Sequence, residues 1–158
     1  NIPAYIRIGK KGEADIHASP PKFKIGEAII VRPGNDVALL CAGTLMSETL
    51  KSADILEENG ISAEVVSFHT VKPLDKIYLQ RASTRFKLLI TVEEHSRIGG
   101  FGSAVSEWRS STNCAVQQIS LGTDDEFMHE VGSQSYARKK YGLIAENIAA
   151  RVATSLKA

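Results

Sequence analysis

A chain of 158 residues suits a single α/β domain, able to bury roughly 70% of the surface its unfolded form exposes. Hydrophobic residues make up 43% of it, which is ordinary for a globular chain and excludes wholesale disorder. The formal net charge of +1, with both signs interspersed, excludes the basic stripe of a nucleic-acid binder, and no run of about 18 apolar residues offers a membrane span.

The chain opens on Asn1 rather than Met, and Ala4 to Ile8 (AYIRI) alternates small or apolar with polar residues. That pattern predicts a strand running into a loop at Gly9, and a strand so near the first residue reads as the end of something longer. Lys10 to Lys24 is polar and holds Pro20-Pro21. Tandem prolines favour extended chain and block helix, so a linker and a domain boundary are expected there. Residues 1–24 are read as a tail with its linker, and 25–158 as the domain. Beyond the boundary, short apolar strands alternate with helix-period segments. This is the pattern of a three-layer α/β/α domain with a mostly parallel sheet of about five strands.

Within the domain, Ala28 to Val31 reads as a short strand and Pro33-Gly34 as a turn. Asp36 to Ala42 (DVALLCA) is an apolar run of the kind buried on both faces. Gly43-Thr44 then opens a helix with Thr44 as N-cap; Leu45, Leu50, Ala53, Ile55 and Leu56 form its apolar face, and Gly60 ends it. Ala63 to Phe68 is the next strand, followed by a turn at Lys72-Pro73 and a short helix from Asp75 to Ser83. Lys87 to Val92 (KLLITV) is another buried strand, ending in the polar cluster Glu93, Glu94, His95, Ser96. Gly99-Gly100-Phe101-Gly102 opens a helix from Ser103 to Arg109, on which Trp108 is either core or an interface anchor. Ala115 to Ser120 is the last strand, Arg138-Lys139-Lys140 a solvated helix face, and Leu143 to about Leu156 an amphipathic helix with Ile144, Ile148, Val152 and Leu156 on its apolar side.

Cys41 and Cys114 both stand in apolar runs that read as buried strands, without CxxC spacing or histidines at metal-ligand spacing. Two reduced core thiols in a cytoplasmic protein are expected. His17 in the linker, His69 beside a turn and His129 in a helical turn read as surface or hydrogen-bonded residues rather than ligands.

The chemistry concentrates in Val92-Glu93-Glu94-His95-Ser96 and the glycines after it. The stretch lies between a buried strand and a helix, where open α/β sheets bind ligands. Glycines there let N–H groups converge at a helix N-terminus, a ready anion site. Glu94 and His95 have the chemistry of an acid/base pair. The GGxG spacing lacks the full GxGxxG pattern and no P-loop lysine follows, so a structural tight turn and a nucleotide or phosphate site both stay open.

Ile90 to Glu107 (ITVEEHSRIGGFGSAVSE) closely resembles the corresponding stretch of the transketolase C-terminal domain. DVALLCAGTLMSETLKSADILEENGISAEVVSFHTVKPLD resembles the family's first strand–helix–strand unit, with its turn at Thr70 to Asp75, and YGLIAENIAARV resembles its last helix. The resemblance runs colinearly over nearly the whole chain. It implies that one edge strand is antiparallel, and that the parent enzyme transfers a two-carbon ketol unit between sugar phosphates with thiamine diphosphate and Mg²⁺. The family's cofactor motif, a Gly-Asp-Gly followed by Asn, does not occur here; the nearest acidic cluster, Asp124-Asp125-Glu126, lacks its glycines. The resemblance therefore implies a segment that binds no cofactor, has no catalytic residue, and is inactive apart from the upstream thiamine-diphosphate-binding domains.

IPAYIRIGK resembles the closing strand of the family's preceding, pyrimidine-binding domain. There an arginine often contacts the substrate phosphate; the matching position is Lys10, with Arg7 before it, and a lysine binds phosphate without the bidentate fork. The family's dimer contacts imply a homodimeric parent, with interface or turn roles for Glu94, His95, Gly99, Gly100, Phe101 and Trp108. Siblings with the same fold are deoxyxylulose-phosphate synthase and the 2-oxo-acid dehydrogenase β subunit, and a free-standing subunit-docking module is a reading of a different class.

Overall fold

Two fully buried runs, Val37–Ala42 and Leu88–Val92, the second with Thr91 as its one polar residue, lie side by side within a five-stranded sheet. The structure, a computed structural model, describes residues 3–9 and 12–157. Its strands are β1 (Ile29–Arg32), β2 (Val37–Ala42), β3 (Ala63–Ser67), β4 (Leu88–Ser96) and β5 (Gln117–Thr123), in the order β1-β3-β2-β4-β5. Strand β2 pairs in parallel with β3 and β4, and β4 with β5, while the edge strand β1 runs antiparallel to β3. The helices are α1 (Met46–Glu58), α2 (Lys76–Arg85), α3 (Phe101–Ser111), α4 (Gln134–Lys140) and α5 (Ala145–Leu156).

Side-chain alternation along a strand decides the layers. Val37, Leu39 and Cys41 of β2 turn to one face, where α1 and α5 cover them with Ala53, Leu56, Ile148 and Val152. Ala38, Leu40 and Ala42 turn to the other, against Leu79 and Ala82 of α2 and Phe101, Val105 and Trp108 of α3. The result is the expected three-layer α/β/α domain. Trp108 is 5% exposed and belongs to the second core layer, which corrects the interface alternative for it.

Local chemistry sets the helix ends. Asp75 accepts the Tyr78 N–H (2.8 Å) and so caps α2, while its other oxygen takes the Ala28 N–H (2.7 Å) and ties the helix to the chain entering β1. Past the end of α1, Gly60 takes φ +77°, a left-handed conformation that a side chain would strain, and the Ile61 N–H returns to the Leu56 carbonyl. Helix α3 lies close on the sheet. A Cβ at Gly102 would stand 2.6 Å from Ser120 Oγ and 2.8 Å from Thr91 Oγ1, so glycine lets β4, β5 and α3 meet.

Several expectations need correction. Ala4 to Ile8 is extended chain that joins no sheet here: it has strand alternation, but no strand among the described residues pairs with it. Thr44 is not an N-cap: α1 starts two residues later, after the fully buried Leu45, and makes no side-chain cap. Strand β4 continues four residues past Val92, through the polar cluster. Cys114 precedes β5 and is part-buried, and His129 lies in irregular chain. Both thiols are free, and burial pushes that of Cys41 up to about 12, which makes it unreactive. No described helix is long and apolar enough to cross a membrane.

Candidate functional site

The polar continuation of β4 lies at the carboxyl end of the parallel strands, where the sequence placed the chemistry. Strand alternation sends Glu93 towards α3 and Glu94 to the opposite face, towards α4. Glu94 and His95, adjacent in sequence, therefore do not form an acid/base pair.

Glu93 is fully enclosed, and its carboxylate accepts the N–H groups of Phe101 (2.6 Å) and Gly102 (2.7 Å). These are the first N–H groups of α3, the donors an exogenous anion would use. Gly99 donates its N–H to Ser103 Oγ (3.0 Å), which in turn donates to the Arg97 carbonyl (2.8 Å). At Gly100 a Cβ would fall on the Glu93 carboxylate, so that glycine makes room for the buried acid. Of the two readings open for this turn, the structure selects the tight turn: an internal carboxylate fills the anion site.

Glu94 is bound from three sides. Thr44 donates its hydroxyl (2.5 Å), Gln134 its amide (3.0 Å) and Arg138 its Nε (2.7 Å). Arg138 also donates from Nη2 to the Thr44 carbonyl (3.1 Å), closing a loop between the β2–α1 turn, β4 and α4. The side chains of Arg138 and Glu94 are 16% and 14% exposed, which corrects the reading of Arg138 as part of a solvated face. Burial pushes the Glu94 carboxyl upward, but Arg138, Thr44 and Gln134 outweigh it and hold the group below the usual 4.5.

That direction has a pH signature. A carboxyl depressed in the folded state contributes stability that is complete above its unfolded value near 4.5 and is lost as pH falls through the lower folded value. Urea midpoints of the wild type and Glu94→Gln will therefore differ at neutral pH and converge as pH falls below the unfolded value. A gap that stays constant over this range would mean that Glu94 is not the group being protonated.

An open cleft of about 430 Å³ lies beside the loop, lined by Arg7, Glu94, Thr123, Glu126, Gln134 and Arg138 among others. Arg7 reaches it from the tail and contacts Nε2 of His95 through Nη1, while His95 Nδ1 lies 3.3 Å from Glu93. The structure thus brings Arg7 and His95 together; Lys10 lies outside the described residues. Away from the cleft, His69 behaves as the expected turn histidine: Nδ1 bonds Thr70 Oγ1 (2.9 Å), its ring meets that of Phe23 at 4.3 Å, and burial lowers its pKa.

Sequence reasoning missed the assignments of Glu93, Thr44, Gln134 and Arg138. The available signal was an acid just past a buried strand, eight residues before a glycine-opened helix. For Arg138 there was none, since its partner is 44 residues away.

The family model described as "Transketolase, C-terminal domain" matches residues 26–148. The 6-deoxy-6-sulfo-D-fructose transketolase subunit SqwH of Clostridium sp. (strain MSTE9) is 38% identical over 146 residues, 92% of this chain and 45% of that protein. A 1-deoxy-D-xylulose-5-phosphate synthase of Heliobacterium modesticaldum is 41% identical over 134 residues, 84% of this chain and 20% of that protein. A solved structure described as a split-gene transketolase in an inactive β4 tetramer superposes with a TM-score of 0.84 at 31% identity, covering 92% of this chain and 47% of that one. The chain spans about half the length of the subunit and of the split-gene protein, and about a fifth of the synthase.

Proposed function

The chain belongs to the transketolase C-terminal domain family, and on that premise we propose that it is the C-terminal segment of a thiamine-diphosphate-dependent transketolase. The parent moves a two-carbon ketol unit between sugar phosphates. This segment supplies fold stability and contacts within a homodimer, and it has no catalytic residue of its own. The observation that carries the reading is the tail: Tyr5, Ile6 and Ile8 are 90%, 78% and 82% exposed on extended chain that pairs with nothing described. Such a row of apolar side chains fits a strand whose sheet belongs to a preceding domain. The family match begins at residue 26, which supports residues 1–24 as that domain's tail with a linker.

The residues here do not fit a magnesium-bound diphosphate. That group needs several oxygen donors free to turn to the metal. Glu93 and Glu94 spend theirs on N–H and O–H groups of the chain, and no three His, Cys, Asp or Glu side chains converge among the described residues. The cofactor is assigned to the preceding domains, and the substrate's phosphate to Arg7 with Lys10. The related split-gene protein, described as inactive in its β4 tetramer, supports inactivity of this segment alone.

The test is ketol transfer from xylulose 5-phosphate to ribose 5-phosphate, with thiamine diphosphate and Mg²⁺ present. This chain joined to its native upstream sequence will be active, and the chain by itself will not. Transfer by the isolated chain would overturn the proposal. Cofactor binding without transfer would reject the ketol acceptor and direct the assay to the synthase reaction of the sibling family.

A further inference from the structure

Across the cleft the two arginines are held in different ways. Arg138 is neutralised by Glu94, whereas Arg7 meets an imidazole and forms no ion pair among the described residues. The distinction is chemical. A carboxylate tether would cancel the guanidinium's charge, while a neutral imidazole accepts one N–H and leaves the full charge and the remaining donors for an anion.

The imidazole is prepared for this. Glu93 accepts two backbone N–H groups and faces His95 Nδ1 at 3.3 Å, so the proton belongs on Nδ1 and the lone pair on Nε2, which meets Arg7. Because Glu93 is fixed by α3, the ring is oriented from the rigid side of the site.

We propose that His95 is a positioning residue, holding the guanidinium of Arg7 over the cleft to receive the phosphate of the sugar substrate. The inference rests on the reading of Arg7 as phosphate-facing.

The experiment uses the full enzyme, this chain joined to its upstream sequence. It measures KM for xylulose 5-phosphate relative to KM for erythrulose, an unphosphorylated donor, with unphosphorylated glycolaldehyde as acceptor. His95→Ala raises that ratio about tenfold and Arg7→Ala at least as much, while the double variant rises no further than Arg7→Ala alone. His95→Gln, whose side-chain oxygen can still accept an N–H from Arg7, recovers part of the ratio. If Arg7→Ala raises the ratio and His95→Ala does not, the role of His95 is wrong and the reading of Arg7 stands. If Arg7→Ala leaves the ratio unchanged, the reading of Arg7 falls and this inference falls with it.

Discussion

Glu93→Gln will destabilise the chain by about 3 kcal/mol, lowering the thermal midpoint by roughly 10 °C. The carboxylate gives one oxygen to each of the Phe101 and Gly102 N–H groups, in a site with no solvent exposure. Glutamine has nearly the same shape but only one acceptor oxygen. Its amide would set donor against donor and leave one N–H of α3 buried without a partner, at about 1–3 kcal/mol. Losing the negative charge at a helix N-terminus adds about 0.3–1 kcal/mol, more in a buried site. Glu93→Ala will cost still more, because it also opens a cavity beneath Gly100. Equilibrium urea unfolding of Glu93→Gln beside His95→Gln separates the helix cap from the imidazole contact. The histidine variant will stay within about 1 kcal/mol of wild type. A Glu93→Gln protein as stable as wild type would remove the carboxylate from its place as the internal anion of α3.

The same residue explains where sequence reading succeeded and where it failed. The central strands were legible because burial on both faces leaves an unbroken apolar run, as in Val37–Ala42, and glycine punctuation marked the end of α1 at Gly60. Strand β4 was cut short at Val92 because acids normally close a buried run, yet two acids are inside this strand, each satisfied by a partner from elsewhere. The glycine turn advertised an anion site correctly; what the sequence could not display was that the anion is the chain's own. Thr44 has the side chain of an N-cap and the position before a helix, but its hydroxyl goes to Glu94, 50 residues away. The tail shows the limit most plainly. AYIRI has strand composition, and strand structure also needs a neighbouring strand, which none of the described residues provides.

Arg138→Ala will detach α4 while leaving the sheet intact. Helix α4 contains no buried residue, so packing contributes little to holding it, and its docking depends on the bonds from Arg138 and Gln134 to Glu94 and Thr44. Removing the guanidinium leaves a part-buried carboxylate with Thr44 and Gln134 alone, a loss of about 2 kcal/mol for a pair at this depth. Because α4 is a peripheral unit, the loss falls on its local opening rather than on global unfolding. Hydrogen exchange will report it: protection of the α4 amides drops about thirtyfold, while amides of β2 and β4 keep theirs. Arg138→Lys will recover part of the effect, since an ammonium can hold Glu94 but has no planar fork to reach the Thr44 carbonyl as well. Equal loss of protection in β2 would make the pair a support of the whole fold, and unchanged α4 amides would show that the helix is held by contacts other than Glu94. The outcome bears on the cleft directly, because Gln134, Ala137 and Arg138 form one of its walls and Arg7 faces them from the tail. If α4 opens at a cost of only a few kcal/mol, the volume beside Arg7 is set by a polar latch, and the same chemistry that depresses the Glu94 carboxyl also fixes how wide the site stands.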